Sequence, residues 1–227
     1  MNIYDRAMTA RVLAAAVGVG LLVIAAIVVA SAVVDVPAET FTRDPAALAP
    51  GLPWYGGSVS LLSAVVWGVV CALAAFVAWA GSPRLRMPLG LLAALAAILL
   101  ADDALMLHES VGPRIGIPDE AWYAVYAVLA GLLTWTLRTD LRRGSGVAYL
   151  LGGAFLALSV LVDAFNIETS AAFLLEDGAK LIGGVVWITV PVLAWLGQRD
   201  VVAAADEILQ HEAGTADDRL DEAVAGR

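Results

Sequence analysis

Seven carboxylates stand within or beside apolar stretches of this sequence, in three groups. Asp102-Asp103 is followed by His108-Glu109, Asp163 by Asn166 and Glu168, and Glu176-Asp177 by Lys180. Carboxylate oxygens and one imidazole suit protons, or a hard to borderline divalent cation, better than a thiophilic metal. The single cysteine, Cys71, excludes an intramolecular disulfide and argues against a thiolate site. Lys180 is the only lysine and the one fixed cation set among these acids. Isolated charges are costly in apolar surroundings, and neighbouring like charges resist ionising together. The group therefore needs retained protons, a bound cation, or water around its outer members. Glu168 and Glu109 are the members expected in water.

Spacing sharpens the pattern. On a helix, Asp102, Asp103, Met106 and Glu109 fall within an arc of about 120°, with His108 off that arc. Ser159, Asp163 and Asn166 follow i, i+4, i+7 spacing and form one polar stripe. Glu176 and Lys180 are four apart, suited to an ion pair. Their stripe continues through Gly183, Gly184, Trp187 and Pro191, where glycines permit close approach and the proline tends to kink the helix. An ionisable residue inside a membrane span is a functional-site candidate by default. The candidate metal or proton site is thus Asp102, Asp103, His108, Glu109, Asp163, Glu176 and Asp177, supported by Lys180, Asn166 and Ser159. Singly, each has a purely structural reading. Glu176–Lys180 can be a helix-surface pair, Asp163–Asn166 an interhelical hydrogen bond, and Glu176-Asp177 a complement to the positive end of a helix starting near Ser170. Taken together, the three groups favour function.

The elements that must carry these residues follow from composition. The chain has 227 residues, 61% hydrophobic and only 15% charged, with a mean hydropathy of +0.84. Soluble domains carry roughly 25% charged residues, so a disordered chain, a coiled coil and an ordinary soluble enzyme are excluded. A span needs about 20 mainly apolar residues. Six segments qualify, at about 11–34, 58–80, 88–109, 121–137, 147–167 and 171–196. Pro88 suits a first helical turn, and Gly144-Ser145-Gly146 reads as the separator of the fourth and fifth spans. The first segment is too long, and lacks a clear cleavage site, to be a simple signal peptide.

Orientation follows from the basic residues. With the N-terminus inside, Arg6, Arg11, Arg84, Arg86, Arg138, Arg142, Arg143, Arg199, Arg219 and Arg227 are cytoplasmic. Outside lie only Arg43 and Arg114. Trp54, Tyr55, Trp122 and Tyr123 then mark the outer interface, and Trp79, Trp135, Tyr149 and Trp195 the inner one. The expected fold class is all-α: a polytopic integral membrane helix bundle of six transmembrane helices, with both termini cytoplasmic. Residues 1–197 form the membrane domain and 198–227 an acidic cytoplasmic tail. All three acidic groups reach the outer side, on the third, fifth and sixth spans, whose polar faces are expected to meet one another.

The net charge of −9 divides between the tail, with eight acids against three arginines, and the remainder. The tail reads as a solvated segment able to form a short amphipathic helix. Net negative charge argues against binding nucleic acid or anionic lipid. The Ala, Val, Leu and Gly richness and scarcity of lysine point to a prokaryotic plasma membrane protein. Its expected partners are the lipid bilayer and a small ion or small molecule.

Four functional classes are compatible with these features. An outer cavity that binds a cation, such as a divalent metal ion, or exchanges protons as part of transport is the leading expectation. Enzymatic activity is not the primary one. A membrane-embedded, metal-dependent lipid hydrolase is the first alternative: the chain resembles the alkaline ceramidase group in having acids and one histidine in a helix bundle. That resemblance implies zinc and a Ser, Asp and His site. Six spans and one membrane histidine depart from the group's seven helices and several histidines. Lys180 in a last span with acids nearby resembles the retinal lysine of microbial rhodopsins, but lies nearer the outer side. A noncatalytic scaffold or accessory subunit is the remaining alternative.

Overall fold

The computed structural model describes residues 3–42, 53, 55–107, 111–139, 144–165, 167 and 169–225, with backbone alone for 3–5, 119 and 199–225. All regular structure among these residues is helical: α1 (Ile3–Val34), α2 (Glu39–Thr42), α3 (Ser58–Ala80), α4 (Pro83–Leu105), α5 (Gly112–Arg114), α6 (Asp119–Leu137), α7 (Gly144–Ala164) and α8 (Ser170–Ala225). Five are long and apolar enough to cross a membrane: α1 from Arg6 to Val34, α3, α4, α7, and α8 from Ser170 to Gln198. These helices mark a membrane protein. α6 has 19 residues, or about 28 Å of rise. Tyr123, Tyr126, Thr134, Trp135 and Thr136 dilute its aliphatic content, and it is not one of the five.

Several expected boundaries move, each for a local reason. α4 begins at Pro83, with Ser82 at the N-cap, and Pro88 lies inside the helix. Proline is favoured at the first helical position because its missing N–H would have no helical partner there. The same helix stops at Leu105, short of Glu109, because Met106 turns into the left-handed region at φ 50° while its N–H still reaches the Asp102 carbonyl. The expected arc from Asp102 to Glu109 is therefore broken, and Asp102 and Asp103 are the acids left on α4. Gly144-Ser145-Gly146 opens α7 instead of separating it from α6. A Cβ on Gly144 would sit 2.6 Å from Thr9 Oγ1 of α1, so glycine there serves a close approach. α8 continues unbroken through the expected tail boundary to Ala225.

α8 is the central helix. In its most apolar window 61% of residues are buried, against 17% for α1. α3, α7 and α1 pack around it, while α4 packs chiefly on α3 and α6. Trp67, Val70 and Ala74 of α3, Leu92, Leu95 and Ala96 of α4, and Val186, Trp187 and Val190 of α8 share one buried core. The α7–α8 crossing is close: a Cβ on Gly152 would lie 2.2 Å from Trp187 Cδ1, and one on Gly183 would lie 2.9 Å from the Gly152 carbonyl oxygen. At one end of the bundle the Ser82 N–H donates to Gln198 Oε1 at 2.7 Å, tying the α3–α4 turn to α8. At the opposite end Phe41 of α2 stacks on Tyr55 at 5.1 Å and packs with Val59 and Leu181.

Candidate functional site

A cavity of about 640 Å³ opens between α4, α6, α7 and α8, with Trp67 of α3 in its wall. One end of it is polar because two helices end there and one begins. α4 delivers Asp102 and Asp103 in its last turn, α7 delivers Asp163 in its last turn, and α8 delivers Glu176 and Lys180 from its first turns. Asp102 is 4% exposed and accepts a hydrogen bond from the Tyr126 hydroxyl of α6 at 2.6 Å. Asp103 accepts on both oxygens, from Trp67 Nε1 at 2.9 Å and from Lys180 Nζ at 3.4 Å. Lys180 Nζ also lies 3.8 Å from Asp177 Oδ1, three residues back on the same helix. Asp163 accepts from the Tyr123 hydroxyl, which joins α7 to α6. Ser159, buried one turn below Asp163, lines the same wall.

The opposite end is aromatic. Tyr149 and Trp187 stack with ring centroids 5.6 Å apart, and Trp67 meets Trp187 edge-on at 6.0 Å. Trp187 Nε1 donates to the Tyr149 carbonyl at 3.0 Å. The Tyr149 hydroxyl donates to the Ala130 carbonyl at 2.8 Å and lies 2.9 Å from Thr134 Oγ1, a second link between α6 and α7. Between the two ends the walls are aliphatic, from Leu95 and Leu99 on one side and Leu150, Ala154 and Leu156 on the other. A largely apolar cavity with a few convergent polar groups is the usual form of a small-molecule site.

Of the residues expected from sequence, Asp102, Asp103, Ser159, Asp163, Glu176 and Lys180 line this one cavity. Asp177 stands just off the wall and reaches it through Lys180. His108, Glu109 and Asn166 lie outside the described residues. Among the described residues no group of three His, Cys, Asp or Glu side chains is placed to hold a metal ion. Asp102, Asp103 and Asp163 each accept from a tyrosine, tryptophan or lysine donor, an arrangement that fixes single carboxylates instead of gathering their oxygens around one point.

Sequence reasoning missed the donors. The third, fifth and sixth spans were expected to face one another, but α4 packs chiefly on α3 and α6, and these supply Trp67, Tyr123 and Tyr126. Tyr149 was expected at the inner interface and is instead 4% exposed, stacked under the cavity. A signal for α6 was available: Tyr123, Tyr126, Ala130 and Thr134 follow i, i+3, i+7, i+11 spacing, and all four line the cavity. Nothing comparable marks Trp67, one of two tryptophans on α3.

Residues 14–194 match a family described as Domain of unknown function (DUF8692). No curated protein and no solved structure matches the chain.

Proposed function

The chain belongs to the DUF8692 family, and we propose that it is a six-span plasma membrane protein whose outer cavity binds a cation in exchange for protons, as a step in transport. The carrying observation is the common wall: four carboxylates, Asp102, Asp103, Asp163 and Glu176, and one ammonium, Lys180, line a single cavity between apolar helices. An excess of carboxylate over ammonium in a medium of low dielectric constant is relieved by protons or by an entering cation. The two relieve it interchangeably, so binding of one displaces the other.

Topology supports counting α6 as the sixth span. The C-terminal ends of α4 and α7 both line the acidic end of the cavity, so the two helices run the same way. The chain between them has to return across the bilayer, and α6 is the helix between them. Ten of the 13 basic residues fall on the side that holds both termini, which by the positive-inside tendency is the cytoplasm. The acidic end then faces outward.

The test is proton-coupled flux in proteoliposomes with an internal pH dye, for the wild type, Asp102→Asn and Asp163→Asn. An imposed cation gradient is expected to drive proton movement in the wild type and not in either variant, with all three proteins showing the same helical circular dichroism. Equal proton movement in all three would contradict the reading, and a wild type without any would favour a scaffold.

A further inference from the structure

Resting on the cation-binding reading above, we infer that the ligand is an amphiphile with an ammonium head and a hydrocarbon chain, admitted sideways from the outer leaflet between α6 and α7. The cavity is elongated. Tyr149 at its floor and Asp163 at its mouth are 14 positions apart on α7, about 21 Å of helix rise. An inorganic cation needs only the acidic end. The rest of that length is apolar, and it is what a hydrocarbon chain requires.

The cavity is also open along its side. Ala154, Ala157, Val160 and Leu161 of α7 line it and are exposed, as is Ala127 on the facing side of α6. In a bilayer such residues meet lipid chains, so the slot is continuous with hydrocarbon. The links between α6 and α7 sit at its two ends, Tyr123 to Asp163 outside and Tyr149 to the Ala130 carbonyl inside. Gly153 widens the wall between them: a Cβ built there meets nothing within 4 Å.

Charge selects the head. The acidic end carries four carboxylates to one ammonium, which attracts a cationic head and repels a phosphate or sulfate. The Tyr123 and Tyr126 rings line the same end, and aromatic faces attract an alkylammonium group. The chain's own apolar burial adds affinity with each methylene, so a long-chain ammonium gains over the bare head.

The experiment uses the full chain in nanodiscs of a neutral lipid and a dodecyltrimethylammonium probe brominated at the chain end, which quenches the tryptophans lining the floor. The specific signal is the part of the quenching absent from Gly153→Phe and from Ala157→Phe, two separate ways of filling the slot that add no tryptophan. Direct titration with tetramethylammonium reports the head alone. Expected are saturable specific quenching, competition by tetramethylammonium about tenfold weaker or more, comparable weakness for dodecyl maltoside and dodecyl sulfate, and loss of probe affinity by about tenfold in Asp163→Asn. Both slot-filling variants are expected to keep tetramethylammonium binding. If tetramethylammonium binds but the chain adds nothing, or the filled slots quench like the wild type, the amphiphile inference is overturned and the cation reading stands. If dodecyl sulfate competes as well as the cationic probe, the head assignment is overturned. If neither the probe nor tetramethylammonium binds, both fail.

Discussion

The two sides of α7 are built from the same small residues and do opposite things. Toward α8, Gly152 lies against Trp187 and Gly183 so closely that an added methyl group would overlap both of them. Toward α6, Gly153, Ala154 and Ala157 line open space. The difference lies in the neighbours. α8 presents a broad indole to the glycine and closes the gap, whereas α6 presents alanines at the same depth and holds α7 through hydrogen bonds near the two ends. A small residue in a membrane helix therefore marks either a close approach or a cavity, and the facing side chain decides which.

The two faces of α7 differ most sharply at adjacent glycines. Gly152→Ala is expected to destabilise the bundle by about 1–3 kcal/mol through overpacking against Trp187. Gly153→Ala is expected to be neutral, or stabilising by up to about 1 kcal/mol through helix propensity. Thermal unfolding in a mild detergent reads both, and equal losses would erase the distinction between the two faces.

The polar end comes next. Tyr126→Phe removes a hydrogen bond to the buried Asp102, and stranding a buried acceptor costs about 1–3 kcal/mol. Asp102→Asn in the same background is expected to recover part of that loss, which a double-mutant cycle measures. Full additivity would show that the two groups do not interact.

A smaller effect is expected at the Tyr149 link. Tyr149→Phe removes the bond to the Ala130 carbonyl, which retains a hydrogen bond from Thr134, so about 0.5–1.5 kcal/mol is the expected loss. Smallest is Leu150→Ala on the exposed slot wall, expected within about 0.5 kcal/mol in stability. A large loss there would mean that α6 and α7 are closed in the membrane.

Hydropathy alone carried the helical, membrane-embedded class, because long apolar runs have few other uses. Position also singled out Asp102, Asp163, Glu176 and Lys180, since charge inside such runs is rare. The boundaries were less legible. Met106 in a left-handed conformation and Pro83 in place of Pro88 as the helix-opening proline are local backbone choices that several sequences could satisfy. The aromatic half of the site was hidden for a different reason. Tyrosine and tryptophan near the membrane surface are ordinarily interfacial, and only packing distinguishes Tyr149, stacked on Trp187, from Trp79, which is 80% exposed. Helix order decided the remainder: sequence periodicity gave each polar face a direction along its own helix but no neighbour, so α6 was not recognised as a donor wall.

These carboxylates line one cavity, which on the proposed function a cation enters. Dicyclohexylcarbodiimide, an apolar reagent that modifies protonated carboxyl groups, tests it directly when its adducts are located by peptide mass spectrometry. Modification is expected at Asp163 and Glu176, slowed together by tetramethylammonium and unaffected by the same concentration of a neutral isostere. Modification of either residue that proceeds at the same rate with and without the cation would contradict it.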